Sequence, residues 1–151
     1  MKLRAVGVFL VVLLAGAAVA LASEIGTWKL NEAKSKVSAG AAKNTKVVYA
    51  AEGDKTKVTV DGVDGDGKPT HSVWVGKMDG KDYPVEGDAT STRAYKRVDA
   101  HTLDVTLKKD GKVVGTVHIV EAADGKTRTV TSSGTDAKGN KVTSTMLYDR
   151  Q

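Results

Sequence analysis

The chain has 151 residues, 27% of them charged, a net charge of +5, no cysteine, and only two Trp, four Tyr and one Phe. The missing thiols exclude disulfide scaffolds, thiol enzymes and lipid-modified lipoproteins. Its basic and acidic side chains are interspersed, so they read as a solvated surface; a nucleic-acid interface would want a basic stripe with stacking aromatics.

In residues 1–22, Lys2 and Arg4 precede an apolar run from Ala5 to Ala18 that ends in Ala20-Leu21-Ala22, the small-x-small motif of a signal peptidase site. The run is rich in Ala and Gly and barely reaches the roughly 20 residues that span a bilayer. A short signal-peptide helix cleaved after Ala22 is therefore expected. That leaves one exported domain over 23–151, in the periplasm or outside the cell, with no stable membrane anchor. Without Lys2 and Arg4 the net charge falls from +5 to +3.

Beyond the leader, short runs rich in Val and Thr alternate with turn signals. The tripeptide Asp-Gly-Lys occurs at Asp66-Gly67-Lys68, Asp79-Gly80-Lys81, Asp110-Gly111-Lys112 and Asp124-Gly125-Lys126, and Asp-Gly supplies the positive φ angles of tight hairpins. Gly53-Asp54, Gly87-Asp88, Asp99-Ala100 and Lys138-Gly139-Asn140 punctuate the other runs. The segments between them predict about ten strands, over 26–30, 45–51, 56–61, 70–77, 82–86, 92–98, 101–108, 112–121, 127–133 and 141–149. Only 31–44 is long enough for a crossover, so parallel α/β folds are excluded. The fold class is all-β, an up-and-down antiparallel barrel that removes its edges by closing on itself.

Period-two alternation names a candidate interior: Val58, Val60, Leu103, Val105, Val117, Val142, Met146 and Tyr148. It is apolar with few large rings. Strand 112–121 is apolar on both faces, which predicts an enclosed environment.

Catalytic and metal chemistry find little support. His71, His101 and His118 stand in separate strands with no i,i+2 or i,i+4 partner, so no metal site is expected. The acidic stretch 61–68 fails as a calcium loop: counted from Asp64, the fifth position is Lys68 and the twelfth Val75. No Gly-x-Ser-x-Gly elbow, Ser-x-x-Lys or His-Glu-x-x-His is present, so the chain reads as a non-enzyme without a cofactor. Trp74 is out of phase with Val73 and Val75 and faces either the cavity or an exposed contact.

The ends of the domain carry a resemblance. Gly26-Thr27-Trp28-Lys29-Leu30 resembles the first-strand signature of the calycins, the group of lipocalins and fatty-acid-binding proteins. There the Trp closes one end of the barrel beneath a basic residue of the last strand, a place held here by Arg150. Ser144-Thr145-Met146-Leu147-Tyr148-Asp149-Arg150 is similar to the last strand of a fatty-acid-binding protein, and ten strands suit that branch. The resemblance implies structural roles for Gly26, Trp28 and Arg150, and ligand contacts from Tyr148 and Met146. Met146 stands where the family's carboxylate-binding Arg would be, and counting from the Asp110-Gly111 turn puts His118 at a second Arg position. His118 reads either as a partly buried, hydrogen-bonded residue or as a ligand contact. Segment 31–44 replaces the family's two-helix lid, which leaves any cavity open or self-filled.

The expectation is thus an exported, monomeric β-barrel binding a small hydrophobic or amphipathic ligand such as a lipid through Tyr148, Met146, His118 and Trp74. Neutral lipids should bind at least as well as acids. The alternative is a non-binding structural or interaction module with a self-filled core.

Overall fold

A computed structural model describes residues 23–151; the expected signal-peptide helix lies outside the described residues. Ten strands follow in chain order: β1 (Gly26–Val37), β2 (Lys43–Glu52), β3 (Lys55–Val63), β4 (Pro69–Gly76), β5 (Tyr83–Val85), β6 (Asp88–Asp99), β7 (Thr102–Lys109), β8 (Lys112–Glu121), β9 (Thr127–Thr135) and β10 (Lys141–Arg150). Each is antiparallel to its chain neighbour, and β1 pairs with β10 to close an up-and-down barrel. Closure gives every strand a neighbour on both sides, with the β4–β5 seam reduced to one pair, Trp74 with Val85.

The turns form where Asp-Gly places them. Asp110 and Gly111 both have positive φ, 49° and 76°, the pair of a two-residue type I′ hairpin. Elsewhere an Asp carboxylate accepts backbone N–H groups inside its own turn, as Asp64 does from Asp66 and Lys68, both at 2.9 Å. The acidic stretch 61–68 is thus the end of β3 and a hairpin turn.

The segment expected to stand in place of a lid continues the sheet. β1 runs on to Val37, with an irregular stretch between Asn31 and Lys36. Ser35 stitches that irregularity: its hydroxyl donates to Asn31 O at 2.7 Å and accepts from Leu147 N at 2.9 Å. The side chain thereby satisfies backbone groups that the broken ladder leaves over. Only residues 38–42 remain as a connection, and they lie at the barrel's mouth.

Alternation sorts the walls. Val58, Val60, Leu103, Val105, Met146 and Tyr148 point into the core, as the spacing predicts. Strand β8 departs from its expected enclosure, because Val113 and Val120 are exposed and Val114 is exposed at the cavity's mouth. Apolar residues on both faces here reflect β-branched fitness for a pleated strand rather than burial. The interior is also richer in rings than expected: Trp28, Tyr49, Trp74, Tyr95 and Tyr148 are all buried.

Candidate functional site

The floor of the barrel is built by the residues that precede and begin β1. Gly26 has φ of +141°, and the place of a Cβ on it lies 3.2 Å from the Arg150 guanidinium, so a side chain would be strained in backbone and crowded by Arg150. Trp28 is fully buried and donates from Nε1 to Glu24 O at 3.1 Å. The guanidinium carbon of Arg150 lies 5.1 Å from its ring centroid, so the last strand does bring its terminal Arg against this Trp. Arg150 also holds Ile25 O and, at 3.3 Å, Gly125 O.

Two carboxylates are buried in the same floor. Glu24 pairs with Arg97 of β6. Glu121 of β8 lies 3.8 Å from Arg150 Nη1; burial pushes its carboxyl above the ordinary glutamate value, with Arg150 pulling the other way.

Above the floor opens a cavity of about 690 Å³, reaching the loops at the mouth. Its size falls within the usual range of small-molecule sites. Apolar wall comes from Val60, Val105, Val117, Val130 and Met146, and the rim from small residues such as Gly40, Ala41, Gly65 and Gly134.

The group that dominates this cavity is Arg128 of β9. It lines the cavity yet is only 3% exposed, and its Nε and Nη1 have no hydrogen-bond acceptor. Its guanidinium carbon sits over three rings, 4.5 Å from Trp28, 4.8 Å from Tyr49 and 5.3 Å from Tyr148. The rings favour a cation but offer no lone pairs to its N–H groups. A buried guanidinium left short of acceptors is costly, and an anion satisfies it with charge-assisted hydrogen bonds.

The predicted ligand residues divide. Met146 and Tyr148 both line the cavity. Tyr148 is directly opposite Arg128 in the β9–β10 ladder, and its hydroxyl donates to Asn44 O at 2.7 Å; burial raises its pKa, so it stays a neutral phenol. Trp74 points inward but is walled off from the cavity. It is fully buried, packs against Tyr95 and Tyr83 with centroids 4.4 and 5.8 Å apart, and shares its Nε1 hydrogen between Tyr83 O and Arg93 O. His118 is corrected outright: it is on the outer face, exposed, with Nδ1 2.6 Å from Asp104 Oδ1. The turn-counting that chose it disregards phase, since Val117 and Ile119 are the inward residues of β8.

The sequence did carry the signal for Arg128. Thr127-Arg128-Thr129-Val130 alternates, and Arg128 shares the parity of the buried Val130. On β6, Arg93, Tyr95 and Arg97 share the inward parity in the same way. No protein-family model and no curated protein matches the chain. The cavity and its charges carry the functional reading.

Proposed function

We propose that this protein is an exported calycin-type barrel that binds a small amphipathic molecule, its acidic head against Arg128 and its apolar body along Val105, Val130 and Met146. The observation that carries this is a nearly fully buried guanidinium, short of acceptors, lining an open and largely apolar cavity. The Arg–Tyr pair that the resemblance seeks on the last strand alone is supplied across two strands, as Arg128 opposite Tyr148. Binding in this chain is non-covalent and needs no cofactor.

The expected ligand preference is accordingly for an acid over its neutral analogue, the reverse of what Met146 suggests by itself. A charge-assisted hydrogen bond contributes about 1.5–3 kcal/mol, roughly tenfold to a hundredfold in affinity. Titrating dodecanoic acid and dodecanol at pH 8 into the wild type and Arg128→Gln is the test. The wild type should favour the acid at least tenfold and the variant should not. Equal binding of acid and alcohol by the wild type overturns the assignment.

A second reading rests on the three rings around Arg128: the cation–π cluster is a structural pin of the floor. Arg128→Lys separates the two, because a lysine keeps the charge for a ligand but loses the flat stacking surface. Acid binding that survives in a less stable barrel marks Arg128 as both pin and anion site. Unchanged acid binding in Arg128→Gln leaves only the pin.

A further inference from the structure

The cavity holds a second guanidinium. Arg93 lies nearer the mouth than Arg128, because β6 descends from Asp88 at the rim to Asp99 at the floor. Its Nη2 donates to Ser72 Oγ of β4 at 2.7 Å, an anchor that keeps the side chain across the cavity wall. Neither Arg93 nor Arg128 has a carboxylate within ion-pair distance among the described residues, whereas Arg97, the third inward Arg, has Glu24.

The carboxylates that line the cavity are all at its rim: Asp64, Asp66 and Asp136. Asp64 and Asp136 are occupied with their own turns, Asp136 accepting from Lys138 and Asn140 at 2.9 Å. Below the rim the cavity lining therefore carries Arg93 and Arg128 and no carboxylate; the buried Glu24 and Glu121 lie beneath Arg128 in the small space at the floor and leave Arg93 without a counter-charge. Both guanidinium groups also act on the Tyr95 hydroxyl, favouring its ionised form, although burial and neighbouring Tyr49 outweigh them and hold it neutral. Tyr95 thus cannot serve as their counter-charge. Two like charges facing one low-dielectric space repel, and a single anionic head can offset only the one it reaches.

We propose that the cavity takes a ligand with two anionic groups on one apolar body, the inner group held by Arg128 and the outer by Arg93 with Ser72. This rests on the binding function proposed above and narrows its ligand class to amphipathic diacids. The neutral serine hydroxyl orients Arg93 without using up its charge, and the remaining N–H groups of the fork are left for a planar, two-oxygen acceptor.

The test compares three ligands of one chain length at pH 8, where every carboxyl is ionised: dodecanoic acid, 12-hydroxydodecanoic acid and dodecanedioic acid. Titration calorimetry of the purified protein should show the diacid binding at least tenfold tighter than the hydroxy acid, which matches it in length and end-group polarity but lacks the second charge. Arg93→Gln should remove that advantage and bring the diacid down to the affinity of the hydroxy acid. Arg93→Lys should keep part of it, which guards against a misfolded Gln variant, and circular dichroism checks both. A diacid that binds no better than the hydroxy acid overturns this inference while bound dodecanoic acid upholds the function. A diacid preference that survives Arg93→Gln overturns the role of Arg93. Binding of none of the three overturns the proposed function itself and this inference with it.

Discussion

At the floor of the barrel Trp28, Leu103 and Ile119 lie with Arg128 and the Glu24–Arg97 pair, whereas the rim is made of Gly40, Ala41, Gly65, Gly115 and Gly134. The strands that meet both ends are the same strands, so the difference comes from side chains alone. Large rings need partners on every side and draw the strands into a packed plug. Residues without bulk leave the space between the same walls unfilled and let the rim backbones approach one another. At Gly65 the place of a Cβ falls 2.3 Å from Gly40 O, a backbone approach between two rim loops that only glycine allows. A barrel of this kind acquires an open cup by grading residue size from one end to the other.

The strongest way to break that comparison is at the floor. Trp28→Ala should destabilise the fold by roughly 3–5 kcal/mol, the usual cost of truncating a buried large aromatic, because it also removes the ring against which both Arg128 and Arg150 lie. Urea melts measure it. A variant as stable as the wild type would mean that the charged residues, not the ring, close the barrel.

A rim substitution should do the opposite, removing binding and sparing stability. Gly115 lines the cavity, and a Cβ there would lie 3.3 Å from Ser133 O and 3.4 Å from Leu107 Cδ1, a contact that a shift of a few tenths of an ångström relieves. The rest of a leucine would project into the cavity. Gly115→Leu should weaken dodecanoic acid at least tenfold while costing about 1 kcal/mol or less of stability, the scale of a substitution that opens no hole in the core. Loss of stability on the scale of Trp28→Ala would show the rim to be as tightly packed as the floor.

The sequence disclosed the barrel more fully than the cup. Turn chemistry is local, and Asp-Gly pairs such as Asp110-Gly111 set their own hairpins, so strand number and order are readable without any long-range contact. The length of β1 was not, because Asn31 to Lys36 breaks alternation and is held in the sheet by Ser35, a bond across 112 positions of sequence. Within the site, Met146 and Tyr148 were found by the last-strand pattern, and both line the cavity. Arg128 is masked in the sequence because a charged side chain ordinarily marks the surface. Its parity with Val130 outweighed that rule, since in a strand the direction of a side chain is fixed by position and its chemistry must then be accommodated.

His118 makes the sharpest small test of phase against chemistry. By chemistry it is the outstanding candidate in β8, the one titratable ring in an otherwise apolar strand centre; by phase it points away from the ligand, and the structure puts it on the outer wall beside Asp104. An exposed pair of this sort contributes between nothing and about 1 kcal/mol, and ordinary surface substitutions stay within about 0.5 kcal/mol. His118→Ala should therefore leave dodecanoic acid affinity unchanged within twofold at both pH 5.5 and pH 8, and move the urea midpoint only slightly. An inward histidine would behave differently, since its protonation would add positive charge to the cavity and tighten acid binding at the lower pH. Loss of a pH-dependent gain in the variant would place His118 inside and reverse the register of β8, and with it the inward assignment of Val117 and Ile119.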